Sequence, residues 1–131
     1  MFSNEILERF KNPVNAGGMR GADGTGKAGE VEGGEIVKIY LSINEKEIIE
    51  NAKFKAYGGV LTIVGSDIAC EMIEGGSIEH AMKVTSKDIL EKLEGVPQNK
   101  TFVASLIEEA IKNAIEDFYK KKEKEEKKAK N

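Results

Sequence analysis

Cysteine is almost missing from this sequence. Cys70 stands alone among 131 residues, so no internal disulfide is available and no multi-thiolate metal cluster can be held. Tryptophan is absent and His80 is the only histidine, which leaves little imidazole for catalysis or metal binding. No apolar run approaches the roughly 20 residues that cross a bilayer. Met1-Phe2-Ser3-Asn4-Glu5 holds no basic segment leading into an apolar one, so neither a membrane span nor a signal peptide is expected. An intracellular, cytoplasmic protein is the simplest expectation.

What is present suits one folded domain. Hydrophobic residues make up 40% and charged residues 33%, enough to bury a core without cross-links. The net charge of −3 is unevenly spread. Residues 120–131 hold seven Lys and three Glu, a balance of +4, and −3 less +4 leaves −7 on residues 1–119. The chain therefore divides into an acidic body, 1–119, and a charged Lys/Glu tail, 120–131. An acidic body argues against a nucleic-acid surface. The tail reads as a solvated helix end or a disordered tail, extending the last helix or fraying from it.

Ser3 is placed to cap a short helix reaching Phe10, with Ile6, Leu7 and Phe10 on one face, and Asn12-Pro13 stops it. Eight of the 14 glycines fall between Gly17 and Gly34, which predicts an irregular, mobile loop. Val37, Ile39, Leu41 and Ile43 then alternate with Ile36, Lys38, Tyr40 and Ser42, a strand with one buried face. Asn44 to Glu47 is a turn. Ile48 to Tyr57 is a second, antiparallel strand with Ala52, Phe54 and Ala56 inward. Lys27 to Val31 suggests a weaker third strand. Leu61, Val64, Ile68 and Met72 mark a helix that Gly75-Gly76 ends. Ser77 opens a short helix. Thr85 with Asp88 resembles a capping box for another, ending at Gly95. Val103, Leu106, Ile107, Ala110, Ile111, Ala114, Ile115 and Phe118 form the strongest helical stripe. The expected class is α+β: a small antiparallel sheet of about three strands with helices packed on one face.

Few motifs carry chemistry. Gly24-Thr25-Gly26-Lys27-Ala28-Gly29 matches the dinucleotide fingerprint, and Gly21 to Lys27 the phosphate-loop spacing. Both motifs work at a helix N-terminus after a buried strand, and that context is missing here. Cys70 reads as a small buried apolar residue whose acidic neighbours oppose thiolate formation. His80 reads as a surface side chain. Glu35, after Gly33-Gly34 at a strand start, is either a metal ligand or a solvated strand end.

Four segments together resemble a known family. They are Phe10-Lys11-Asn12-Pro13 with Asn15 and Gly17, then Ile48 to Gly58 with its F-K-x-Y-G ending. Glu71 with Gly75 and Ser77 follows, and then Glu109 to Phe118. In this order they resemble the IscU / NifU N-terminal family of iron–sulfur cluster assembly scaffolds, over about Ser3 to Tyr119. Members of that family hold a nascent cluster with three cysteines and an aspartate, sometimes with a histidine. The resemblance sets Gly33, Gly59 and Val103 in the three cysteine places, Glu35 in the aspartate place and Phe102 in the histidine place. The family's chaperone-recognised L-P-P-V-K segment reads Val96-Pro97-Gln98-Asn99-Lys100.

Glycine and valine offer iron no donor atom, and carboxylate alone does not replace thiolate. A bound [2Fe–2S] cluster is therefore not expected. Two readings follow. The first is a non-enzymatic, non-ligating scaffold relative that binds protein partners, with iron–sulfur assembly components as the candidates. The second is a metal-ion or small-ligand-binding protein using Glu35, with Asp67 and the glycine-rich loop, which would take a weak divalent metal. Neither reading involves nucleic acid or a membrane.

Overall fold

Ser3 caps the first helix as expected. Its hydroxyl accepts the Ile6 N–H at 3.2 Å, and α1 runs Asn4–Lys11. The computed structural model describes residues 2–130. Only Ile6 of α1 is buried. Leu7 and Phe10 remain 39% and 38% exposed, so the helix rests on one residue of its expected apolar face.

Three antiparallel strands follow in the order β1 (Gly24–Glu30), β2 (Glu35–Ile43) and β3 (Ile49–Tyr57). Asn44 shapes the β2–β3 turn by accepting the Lys46 and Ile48 N–H groups at 2.9 and 3.1 Å. Val37, Ile39, Leu41, Ala52 and Phe54 form the inner face, while Ala56 is only half-buried. The free edge of β3 is covered in part by Asn15 to Gly17, which exchange backbone hydrogen bonds with Phe54. Covering an edge in this way removes a site for unwanted strand pairing.

Four helices complete the chain: α2 (Val60–Ile73), α3 (Ile78–Met82), α4 (Ser86–Leu93) and α5 (Phe102–Lys130). Thr85 and Asp88 form the expected capping box on α4. The core lies between the sheet and α2 and α5, with Ile107 and Ile111 buried. The α+β class with helices on one face of a three-stranded sheet is thus the observed architecture. Helix α2 is buried more widely than its spacing suggested. Leu61, Val64, Ala69, Cys70 and Ile73 are buried, whereas Ile68 and Met72 are half-buried. Helix α5 continues through Lys130, so the division at residue 120 falls inside one helix.

The glycine-rich segment differs most from expectation. Seven of its residues, Gly24–Glu30, are strand β1, which starts three residues before the Lys27 to Val31 estimate and ends one before it, and Val31–Gly33 is a single 3-10 turn. The glycines have a packing reason. Gly24 and Gly26 face α5, and a Cβ on Gly26 would overlap the backbone nitrogen of Ala114 and the carbonyl oxygen of Ala110. The helix lies directly on the strand backbone, a closeness only glycine permits. Helix α5 also satisfies the outer edge of β1. Asp117 accepts the Thr25 N–H at 2.8 Å, and the Asn113 amide donates to the Lys27 carbonyl at 2.9 Å. These side chains sit one helical turn apart, which matches alternate residues of a strand.

Candidate functional site

Glu35 is the residue on which the sequence readings converge. It begins β2 and is 8% exposed. Its carboxylate points back into the protein. Oε2 accepts the Thr62 hydroxyl at 2.5 Å and the Gly59 N–H at 3.3 Å. Gly58 has φ +150°, and a Cβ there would overlap Oε2. The end of β3, the first turn of α2 and the start of β2 are therefore locked together around one carboxylate. A solvated strand end does not describe it.

The two open glycines behave differently from Gly58. Gly33 closes the 3-10 turn and Gly59 is the N-cap residue of α2. A Cβ at either would meet no atom within 4 Å, and neither has a positive φ. Side chains are thus sterically permitted at both. Gly59 lines a shallow depression of about 500 Å³ with Gly34, Ala56, Tyr57, Gly58 and Ile63. Phe102 and Val103 do not line it. Val103 is buried and Phe102 is 45% exposed at the start of α5.

Around Glu35 the donors are a carboxylate, a hydroxyl and a backbone amide, all hard and already engaged with one another. Such a set suits a structural hydrogen-bond knot better than a soft metal. Among the described residues, no group of three or more His, Cys, Asp or Glu comes together to hold a metal ion.

Asp67 does not join Glu35. It is fully buried on α2 and held by Arg9 Nη1 at 2.8 Å and the Asn15 N–H at 2.8 Å. The Asn15 amide returns a bond to the Asp67 carbonyl at 3.2 Å. The role is structural: it fastens α1 and the loop after Pro13 to α2. Burial lowers the Arg9 pKa, but bonds to Glu71 and Asp67 outweigh it, and the guanidinium is held above its ordinary range. A groove of about 940 Å³ lies beside this cluster between α1, α2 and the end of α4, with Ile6, Val64 and Leu93 among its walls. None of Gly33, Glu35, Gly59 or Val103 lines that groove.

The Gly24 to Gly29 portion of the glycine-rich segment is strand, not the loop before a helix that the two phosphate-binding patterns need. Cys70 is fully buried. Burial pushes its thiol pKa well up, Asp67 and Glu74 add to the rise, and Lys53 opposes it. His80 is exposed, with Nε2 3.3 Å from the Met72 carbonyl oxygen. Sequence reasoning missed Thr62 and the Arg9–Asp67 pair. The available signal was a polar residue in an otherwise apolar helix, since Thr62 and Asp67 stand among Leu61, Val64 and Ile68.

A family model described as NifU-like N terminal domain matches residues 1–125. The chain belongs to this family. Several proteins are similar to this NifU-like domain over most of their length. The iron-sulfur cluster assembly scaffold protein IscU 1 of Archaeoglobus fulgidus is 35% identical over 121 residues, covering 92% of this chain and 78% of the relative. The scaffold protein IscU of Escherichia coli K12 is 34% identical over 125 residues, covering 93% and 97%. Among solved structures, the N-terminal part of a nitrogen-fixing NifU-like protein from Brucella abortus superposes with a TM-score of 0.72 at 16% identity, covering 91% of this chain and 94% of that one. That last likeness is one of fold. The helix signature Glu109 to Phe118 of this NifU-like domain contains Asn113 and Asp117, the two side chains that close the edge of β1.

Proposed function

We propose that this NifU-like domain is a non-ligating member of an iron–sulfur assembly family. It acts as a binding or adaptor protein for other assembly components and carries no cluster itself. It binds rather than catalyses, and its partners are proteins of the cytoplasm. The observation that carries this reading is the state of the ligand places. Gly33, Gly59 and Val103 stand where the resemblance sets three cysteines. The remaining carboxylate, Glu35, is spent on Thr62 and Gly59. Relatives at about 35% identity named as assembly scaffolds support the setting. The empty ligand places support the change of role.

Anaerobic reconstitution with iron, sulfide and reductant tests it. The wild-type chain is expected to develop no cluster absorption in the visible range. The triple variant Gly33→Cys, Gly59→Cys, Val103→Cys adds thiols at two positions with open space and one buried position. A stoichiometric cluster spectrum from the wild type overturns the proposal. Titration with Fe²⁺, Zn²⁺ and Mg²⁺ addresses the metal-binding alternative. Stoichiometric heat that disappears in Glu35→Gln would favour that alternative.

A further inference from the structure

The outer face of the sheet carries an unusual row of charge. The strand register pairs Lys27 with Lys38, and Lys38 with Lys55. Three lysines thus occupy directly paired positions across β1, β2 and β3. Lys53 occupies the next row, opposite Tyr40. Directly opposed like charges destabilise a sheet, so this arrangement works against the fold.

Among the described residues, Lys27, Lys38, Lys53 and Lys55 make no ion pair. No acidic residue stands at an outward position from Thr25 to Gly29, from Ile36 to Ser42, or from Asn51 to Tyr57. The ion pairs among the described residues are made by Arg9 and by lysines of the helices and their ends. Lys38, the centre of the row, is half-buried with its ammonium 5.3 Å from the centre of the Tyr40 ring. Lys27 and Lys55 are exposed. This basic strip belongs to a body whose overall charge is −7 over residues 1–119, so it is a local inversion of sign.

We infer that the Lys27–Lys38–Lys55 row, flanked by Lys53 and Tyr40, is a docking surface for an acidic helical face of a partner protein. Adjacent strands lie roughly 4.8 Å apart, and side chains at i and i+4 on a helix are about 5–6 Å apart. A helix laid across the strands therefore presents successive carboxylates at the pitch of the lysines. Nucleic acid fits less well, because its dense phosphates would also face the acidic remainder of the body. The inference supplies a partner chemistry for the adaptor reading and rests on that reading for its biological setting. The surface itself stands on the strand register alone.

The probe is a synthetic helical peptide with glutamate at successive i and i+4 positions, labelled for fluorescence anisotropy, with the full chain at low ionic strength. Binding is expected, and it should weaken steeply with added salt. Lys38→Gln should lower affinity by about threefold to tenfold, or about 0.7–1.4 kcal/mol. Lys55→Gln, at an exposed end of the row, repeats the test without disturbing packing. Lys128→Gln in the tail should change nothing, and Lys38→Gln should keep or raise the thermal midpoint because it removes repulsion. Four results would each overturn the inference. One is no binding at low salt, and another is equal loss from Lys128→Gln. The others are tighter binding to duplex DNA or phosphatidylglycerol vesicles, and lysine-dependent self-association in place of peptide binding. The assay contains no iron, so its failure is separable from a failure of the cluster reconstitution.

Discussion

The Thr62 hydroxyl donates to Glu35 Oε2 at 2.5 Å and ties the first turn of α2 to the first residue of β2. The two residues lie 27 positions apart in the chain and are both buried. Removing the donor leaves a buried carboxylate with the weaker Gly59 N–H as its remaining partner. Thr62→Val, nearly the same shape, should cost about 1–3 kcal/mol, the usual penalty for an unsatisfied buried polar group. Urea unfolding measures it. A change below a few tenths of a kcal/mol would mean that water takes over the bond.

Gly26→Ala should be more damaging than an ordinary strand substitution. Its Cβ would fall on the backbone of α5, which cannot move as a side chain can. Overpacking of this kind typically costs about 1–3 kcal/mol, sometimes more. Gly33→Ala, whose Cβ meets nothing within 4 Å, provides the contrast and should be close to neutral. Thermal midpoints of the two variants, taken side by side, check the difference.

Arg9→Met should loosen α1 from α2. Asp67 has no solvent exposure and would lose its cation, keeping the Asn15 N–H. Breaking a fully buried pair costs roughly 3–5 kcal/mol. Arg9 is 31% exposed, and solvent screening reduces the expected loss to about 1–2 kcal/mol. Addition of Asp67→Asn to the Arg9→Met variant should restore part of it. Denaturant unfolding of the double-mutant cycle gives the coupling.

Acid should weaken the attachments of α5. The Lys112 ammonium, bonded at 2.7 Å, holds the Glu108 carboxyl below its ordinary value of 4.5; burial acts upward against it, and the Ser86 N–H helps to keep the value down. At Asp117 burial acts upward, but the Thr25 N–H and Lys121 prevail and the carboxyl falls below 3.8. Both folded-state values are depressed. Their stabilisation is therefore complete above the ordinary values and disappears as pH falls through the lowered ones. The thermal midpoint should be flat from about pH 7 to 5 and fall below about pH 4.5. Glu108→Gln should show a shallower fall.

Periodicity made most of the fold legible. Val37 to Ile43 alternate cleanly because one face of β2 meets the core and the other meets solvent. The stripe from Val103 to Ile115 reads at helical spacing because α5 buries one side along its first half. Strand β1 showed only as the weaker Lys27 to Val31 strand because two of its three inner positions are glycines and the third is Ala28. A strand normally announces itself by the side chains it buries, and Gly24 and Gly26 bury none. The same limit applies to Glu35. Its position could be found from the Gly33-Gly34 step, but its inward orientation depends on Thr62, which reaches it only after the chain has folded back through β3. Asp67 showed as an acid in an apolar helix, and its partner Arg9 lies 58 residues away.

The contact between β1 and α5 also orders events in time. Residues 24–30 form one edge of the sheet, yet what they pack against and what satisfies their outer edge arrives with residues 110–117. Such a separation, 92 residues for Thr25–Asp117 and 86 for Lys27–Asn113, is slow to close. During synthesis β2 and β3 can pair as a hairpin as soon as both have emerged. Strand β1 can join that hairpin only through backbone bonds until the last helix is made. The nascent chain therefore passes through a stage with a glycine-faced, uncovered strand edge, the kind of surface that invites pairing with another chain.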